Sequence, residues 1–442
     1  MNTKKERGDS MFKRGVWKVV VILLSTLLFS ITPAQYKTQI NVLIWTEFAK
    51  YISEFLPEFE KSTGIKVNLE AAITPDLPKL TKAGISSEKS KYDLVTIDEP
   101  FIPEFAELLV PFDKWPQGKI YKKPDPKIFA PNAFEASFWN NVFSGMPFNV
   151  NVYIWITRKD LLENPSYISE FKKKYGYELS VPKTFKELRD TAEFFYNKGM
   201  YGFAPFTNIN FEGTTAEAIF IFESFGTSPL TVIDGKVKVT LDTKIAAEAI
   251  EFYKELLRFA PPNKLEMAHD ERIKVFNEGK VFTMFQWPLF VPQHEDPKAS
   301  KVAGKIIYSV PPSGPAKRVA IRGCWVLALP KASQNKEAAV EFAYWLVSKD
   351  VQSRLIPKGL IPVRADLLLN PEINKERPWF KTVFESSRSA VARPRFPEYL
   401  EASKIIREYW HAGISGKMSA KEAAERMKKE LLNLVERYEK RK

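Results

Sequence analysis

The chain has 442 residues, 45% of them hydrophobic and 27% charged, which is enough to bury substantial cores and excludes disordered and small disulfide-stapled classes. One cysteine (Cys324) and three scattered histidines (His269, His294, His411) exclude an internal disulfide and leave little for a zinc site. The formal charge of +13 points at first to nucleic acid or another acidic partner.

Part of that charge sits in a leader. Lys4, Lys5, Arg7, Lys13, Arg14 and Lys18 precede an apolar run from Val19 to Ile31, then Thr32-Pro33-Ala34. This is the pattern of a secretory signal over residues 1–34, with cleavage near Gln35 and either Met1 or Met11 as the start. The run is short for a bilayer span of about 20 residues, and no lipid-accepting cysteine follows it. Export to the periplasm or the outside is expected. The remaining Lys and Arg alternate with Glu along helical stretches such as Lys428-Lys429-Glu430, a solvated face rather than a nucleic-acid footprint.

In chain order, Ile40–Trp45 reads as a buried strand. Phe48, Tyr51, Ile52, Phe55, Leu56 and Phe59 at three- and four-residue spacing predict one amphipathic helix, ended by Thr63-Gly64. Ile65–Leu69 and Tyr92–Ile97 are the next strands, and strand–helix–strand alternation predicts a parallel sheet. Val152–Thr157 is strand-like, and Thr184-Phe185-Lys186-Glu187 is a capping box for a helix through Phe195. A helix begins at Thr243. Val281–Gln286 and Cys324–Leu329 are strands, and helices are predicted over Lys336–Val347, Ser403–Trp410 and Ser419–Tyr438. The alternation indicates an α/β protein of two lobes.

Catalytic signatures are missing: there is no GxSxG, HExxH, phosphate-binding GxxxxGK[ST] or GxGxxG. Asp98 and Glu99 are adjacent on an extended segment, so they point to opposite sides and do not form a facing glycosidase pair. Aromatic residues do gather beside polar groups at strand ends: Trp45, Phe101, Trp139, Phe148, Trp287 and Trp325. Such surroundings suit carbohydrate, whose apolar face packs on an indole while its hydroxyls meet polar side chains. Trp45 and Trp287 stand at strand exits, where α/β sheets bind ligands, whereas Trp155 and Trp345 read as core. Cys324 reads as a small buried hydrophobe, and the histidines as surface or structural residues.

Several segments together resemble the extracellular sugar-binding proteins of ABC importers, the family that includes maltose-binding protein. Val42-Leu43-Ile44-Trp45 with Phe59–Val67 is similar to the family's opening strand, helix and "FEK-x-x-GIKV" segment. Tyr92-Asp93-Leu94-Val95, Leu109–Asp113, Gly145-Met146-Pro147-Phe148, Val181–Leu188, Phe276–Lys280, Gly323-Cys324-Trp325 with Pro330–Ser333, and Gly413–Gly416 follow in the family's order. Cys324 stands where a second Gly is common, and Thr157 where Tyr-Asn or Tyr-Tyr is.

The resemblance implies an α/β two-lobe periplasmic-binding-protein fold of type II topology, with crossing segments and a central ligand cleft. It divides the chain into 35–148 and 288–331 for the N-terminal lobe, and 149–287 and 332–442 for the C-terminal lobe. It implies Trp45 and Glu47 as first-loop ligand contacts, Asp98 and Glu99 after the third strand, and Asn149 and Asn151 at the crossover. It further implies Glu212 as an acid from the second lobe, Trp287 as a stacking ring, Gly323 and Trp325 as the opposite wall, and Arg364 as a late polar contact. The implied function is delivery of a sugar or oligosaccharide to a membrane permease by a monomer, without catalysis, cofactor or metal. The rivals are another solute in the same fold, such as a polyamine or an anionic or phosphorylated ligand, and a secreted glycoside-cleaving enzyme using Asp98 or Glu212.

Overall fold

Two mixed sheets organise the chain in a computed structural model that describes residues 36–116, 125–233 and 235–441. The leader predicted over residues 1–34 lies outside the described residues. The first sheet runs in the order Ile65–Ala72, Thr38–Trp45, Leu94–Asp98, Trp325–Ala328, Met146–Asn149. Its first three strands are parallel, but Trp325–Ala328 is antiparallel to both neighbours. The second sheet runs Ile306–Ser309, Ile154–Arg158, Val281–Gln286, Tyr201–Phe203, and only its last pair is parallel. A purely parallel sheet is therefore not formed. In the first sheet a late strand returns against the direction of both neighbours, and in the second the early strand Ile154–Arg158 is antiparallel to the two later strands beside it, neither of which short-range alternation reveals.

The sheets are joined where three segments run side by side. Tyr153 N donates to Ile321 O at 3.0 Å, and Gly323 N to Asn151 O at 2.6 Å. Ala320–Arg322 then pairs in parallel with Ala390–Ala392. This inserted antiparallel strand and these crossings are the architecture expected of the two-lobe fold.

Several elements match the periodicity closely. Lys336–Val347 and Val281–Gln286 have the predicted bounds. Thr184 caps Phe185–Tyr196 by accepting from Glu187 N at 3.2 Å, while Glu187 reaches Lys183 N, one residue before the expected partner. Asp242 caps Thr243–Leu256, and Ser419 accepts from Glu422 N at the head of Ala420–Arg441. The helix predicted over Phe48–Phe59 is instead Thr46–Ile52, a 3-10 turn, and Leu56–Thr63. Pro57 is the reason, because it lacks an N–H for a continuous ladder and fits only a first turn. Gly64, at φ 73°, closes that helix in the left-handed region.

Packing assigns two segments against the expected division. Ile306–Ser309 is hydrogen-bonded to Ile154–Arg158 in the second sheet, so part of 288–331 does not belong with the first. Lys336–Val347 covers the first sheet, where Phe342 meets Phe59 at 5.0 Å, and Ser333 and Asn335 both bond Asp93. Trp155 is fully buried as expected, but Trp345 is half-buried against Phe59 and Phe342. Among the described residues no helix is long and apolar enough to cross a membrane.

Candidate functional site

A cavity of about 360 Å³ receives side chains from both sheets and from the crossings. Strand ends position its walls. Trp45, Asp98 and Trp287 each hold extended backbone and begin the helical turn that follows their strand. Pro100 and Pro288 sit in the first turns after Asp98 and Trp287, where a missing N–H costs nothing. Trp325 lies beside Asp98 in the ladder because its strand is antiparallel, so its starting end shares an edge with its neighbours' finishing ends.

The aromatic wall is prearranged. Trp45 and Trp325 stack with ring centroids 4.9 Å apart and 7° between planes, and Phe48 meets both edge-on. Trp287 rests on Tyr153 at 4.0 Å and lies over Gly323, where a Cβ would come within 2.7 Å of the indole. Gly323 is thus required by the position of Trp287, not by its own dihedral angles.

The polar wall is a chain of alternating charge. Asp98 accepts from Arg393 Nη2 at 2.6 Å. Arg393 Nη1 is 3.7 Å from Glu212, and Glu212 accepts from Arg407 Nη1 at 2.7 Å, from Ser403 at 2.6 Å and from the Tyr399 hydroxyl. Burial pushes the Asp98 carboxyl up to about 6 although Arg393 pulls the other way. These two carboxylates and two guanidinium groups balance.

Of the residues expected to touch ligand, Trp45, Asp98, Asn151, Glu212, Trp287, Gly323 and Trp325 line the cavity. The other four are not on its wall, and each has a partner that turns it away. Glu47 pairs with Lys50 at 2.8 Å on the helix surface. Glu99 is fully buried, with Oε2 2.7 Å from Arg322 Nε, close but poorly aligned for a hydrogen bond. Asn149 donates to Ile361 O at 2.9 Å, and Arg364 forks onto Asp366 at 3.0 and 3.1 Å. Asp98 and Glu99 do part, but not as two extended residues: Asp98 ends the strand and Glu99 opens the helical turn that follows.

Arg393, Arg407 and His269 line the cavity without having been singled out as ligand contacts. No sequence pattern flags Arg393, which meets Asp98 across 295 residues of chain. His294, by contrast, is a buried structural residue bonded through both ring nitrogens to Gln286 and Asn277. Among the described residues no group of three His, Cys, Asp or Glu side chains is placed to hold a metal ion.

Residues 45–353 match the family model described as bacterial extracellular solute-binding protein. The chain belongs to that family. This solute-binding protein is 29% identical over 274 residues to a probable ABC transporter-binding protein of Deinococcus radiodurans, covering 59% of this chain and 62% of that one. It is 24% identical over 267 residues to a probable amino-acid ABC transporter periplasmic-binding protein of Sinorhizobium fredii, covering 60% and 57%. The chain thus spans about three fifths of the length of these curated relatives. Among solved structures, maltose-bound MalE3 of T. maritima superposes with a TM-score of 0.76 at 23% identity, over 90% of this chain and 100% of that one. A ribitol-bound solute-binding protein from Agrobacterium radiobacter gives 0.75 at 22%, over 90% and 99%. At those identities the likeness establishes the two-lobe fold.

Proposed function

We propose that this solute-binding protein holds a neutral sugar or polyol in the cavity and hands it to the membrane permease of an ABC importer. The observation that carries the reading is the wall itself: three tryptophans beside carboxylate–guanidinium pairs whose charges cancel. Indole faces offer apolar surface to C–H groups, and the fixed polar groups offer donors and acceptors to hydroxyls. A polycation or a phosphate would leave its charge unmatched in such a site. The maltose and ribitol named for the two solved structures agree with this chemistry.

Trp45, Asp98, Asn151, Glu212, Trp287, Gly323 and Trp325 act as contacts in this reading, and Glu47, Glu99, Asn149 and Arg364 as supports behind or beside them. The first lobe is built on the sheet containing Thr38–Trp45 and the second on the sheet containing Val281–Gln286. Ligand draws them together because it fits the closed arrangement better, which is the thermodynamic content of closure. The protein acts as an exported monomer, by binding and not by catalysis.

The test is a thermal-shift screen against maltose, ribitol, mannitol, putrescine, glucose 6-phosphate and amino acids. A neutral sugar or polyol is expected to raise the melting temperature by mass action. A shift produced only by putrescine, the phosphate or an amino acid overturns the reading. Release of reducing sugar from maltose or longer oligosaccharides overturns the non-catalytic part.

A further inference from the structure

We infer that His269 is a specificity-determining residue of the cavity, presenting a neutral imidazole nitrogen to one hydroxyl of an uncharged ligand. The inference rests on the sugar-binding reading and narrows it. His269 opens the helix His269–Asn277 and stands on the cavity wall. Its ring is held among aromatic neighbours, with centroids 4.2 Å from Phe290, 4.8 Å from Phe211 and 5.0 Å from Phe206. Within this box Nδ1 is buried and has no hydrogen-bond partner among the described residues.

A residue selected only to fill an aromatic box has no need of an unpaired nitrogen, and phenylalanine would fill it without the desolvation cost. His294 shows what a purely structural histidine looks like in this chain: both of its nitrogens are satisfied by protein. The unpaired atom of His269 therefore points to a group that arrives with ligand. Burial and the nearby Arg272 hold the ring neutral, at a pKa of about 3. The remaining charges on the wall are already matched, Asp98 with Arg393 and Glu212 with Arg407. A neutral ring in a charge-balanced wall favours hydroxyl over ammonium or phosphate.

Three proteins decide the matter: wild type, His269→Phe, which keeps the ring and loses both nitrogens, and His269→Gln, which keeps a polar group. Each is titrated calorimetrically with maltose, ribitol and mannitol, and melted without ligand. For whichever probe wild type binds, His269→Phe is expected to lose about tenfold or more in affinity, about 1.4 kcal/mol. Its melting temperature stays at or above that of wild type, and His269→Gln recovers part of the affinity. In ¹⁵N-histidine-labelled protein, a ring-nitrogen resonance that is absent from the His269→Phe spectrum shifts on adding that probe. Affinity of His269→Phe within twofold of wild type overturns the inference and leaves the sugar-binding reading standing. Wild type that binds only putrescine, glucose 6-phosphate or an amino acid overturns both.

Discussion

Arg393 grips Asp98 at 2.6 Å with both side chains more than nine-tenths buried. The guanidinium follows the late strand Ala390–Ala392, whereas the carboxylate ends the strand Leu94–Asp98 of the first sheet. Removing one partner of a buried pair strands the other, at a cost of about 3–5 kcal/mol. Arg393→Gln is therefore expected to unfold at clearly lower denaturant than wild type, and Asp98→Asn/Arg393→Gln to recover much of the loss. Chemical denaturation of these proteins together with the Asp98→Asn single variant checks this. Additive losses in the double variant would mean that the pair is not coupled.

Buried titratable groups make opposing contributions to acid stability. Burial pushes Glu217 up to about 7 and Asp98 up to about 6, against ordinary values of 4.5 and 3.8. Between those limits the native state holds protons that the unfolded chain has released, so these groups stabilise the fold as pH falls. His269 and His294 are pushed down to about 3 from 6.5, so the unfolded chain takes up protons the native state refuses, and they destabilise it as pH falls. From pH 4.5 to 6 the two carboxylates and two imidazoles cancel. Glu217→Gln is expected to lose stability on acidification from pH 6 to 4.8, and His294→Asn to gain it, each by about 1.5 kcal/mol relative to its own value at pH 6. Urea unfolding at the two pH values reads the slopes, and equal slopes in both variants would reject the assignment.

Trp45 and Trp155 separate binding from stability. Trp45 is half-buried on the cavity wall, and Trp155 is fully buried between Phe203 and Phe285. Trp45→Ala is expected to weaken ligand binding by about 2 kcal/mol. Trp155→Ala is expected to lower stability by about 3–5 kcal/mol. Calorimetric titration beside melting curves distinguishes them, and the opposite pattern would move the site elsewhere.

Cys324 is fully buried, and burial pushes its thiol well above the ordinary range. A thiol reagent is expected to modify it slowly in the native protein and rapidly in guanidinium. Equal rates would show that the strand beginning at Trp325 is open to solvent.

Much of the wall was legible because strand exits are. Trp45, Asp98 and Trp287 follow recognisable apolar runs, and the end of such a run fixes where its next side chain stands. What stayed hidden depended on distant partners. Glu47 faces away because Lys50 is one helical turn on, and Arg364 because Asp366 captures it. Arg393 joins the site only through the fold, since nothing local to it differs from a surface arginine. Glu212–Phe225 carries no helical signature in its sequence because nearly all of it is buried, leaving no polar stripe to set a phase. Residues 288–331 divide between the sheets because pairing partners, not sequence neighbours, decide where a strand lies.

The antiparallel strand Trp325–Ala328, set between Leu94–Asp98 and Met146–Asn149, makes the protein intolerant of being made in pieces. Its two neighbours precede the whole of the second sheet in the chain, yet neither can satisfy its inner edge until this late segment is present. A ribosome that has released residues 1–300 has therefore delivered a sheet with a gap through its middle and two unpaired edges, a state prone to stick to its own kind. Folding must wait for the tail, and long-range pairing of this sort is slow. For the same reason, a fragment cut before Trp325 would be a poor vehicle for the first lobe alone, whereas a circular permutant that brings Trp325–Ala328 early would let that sheet close first.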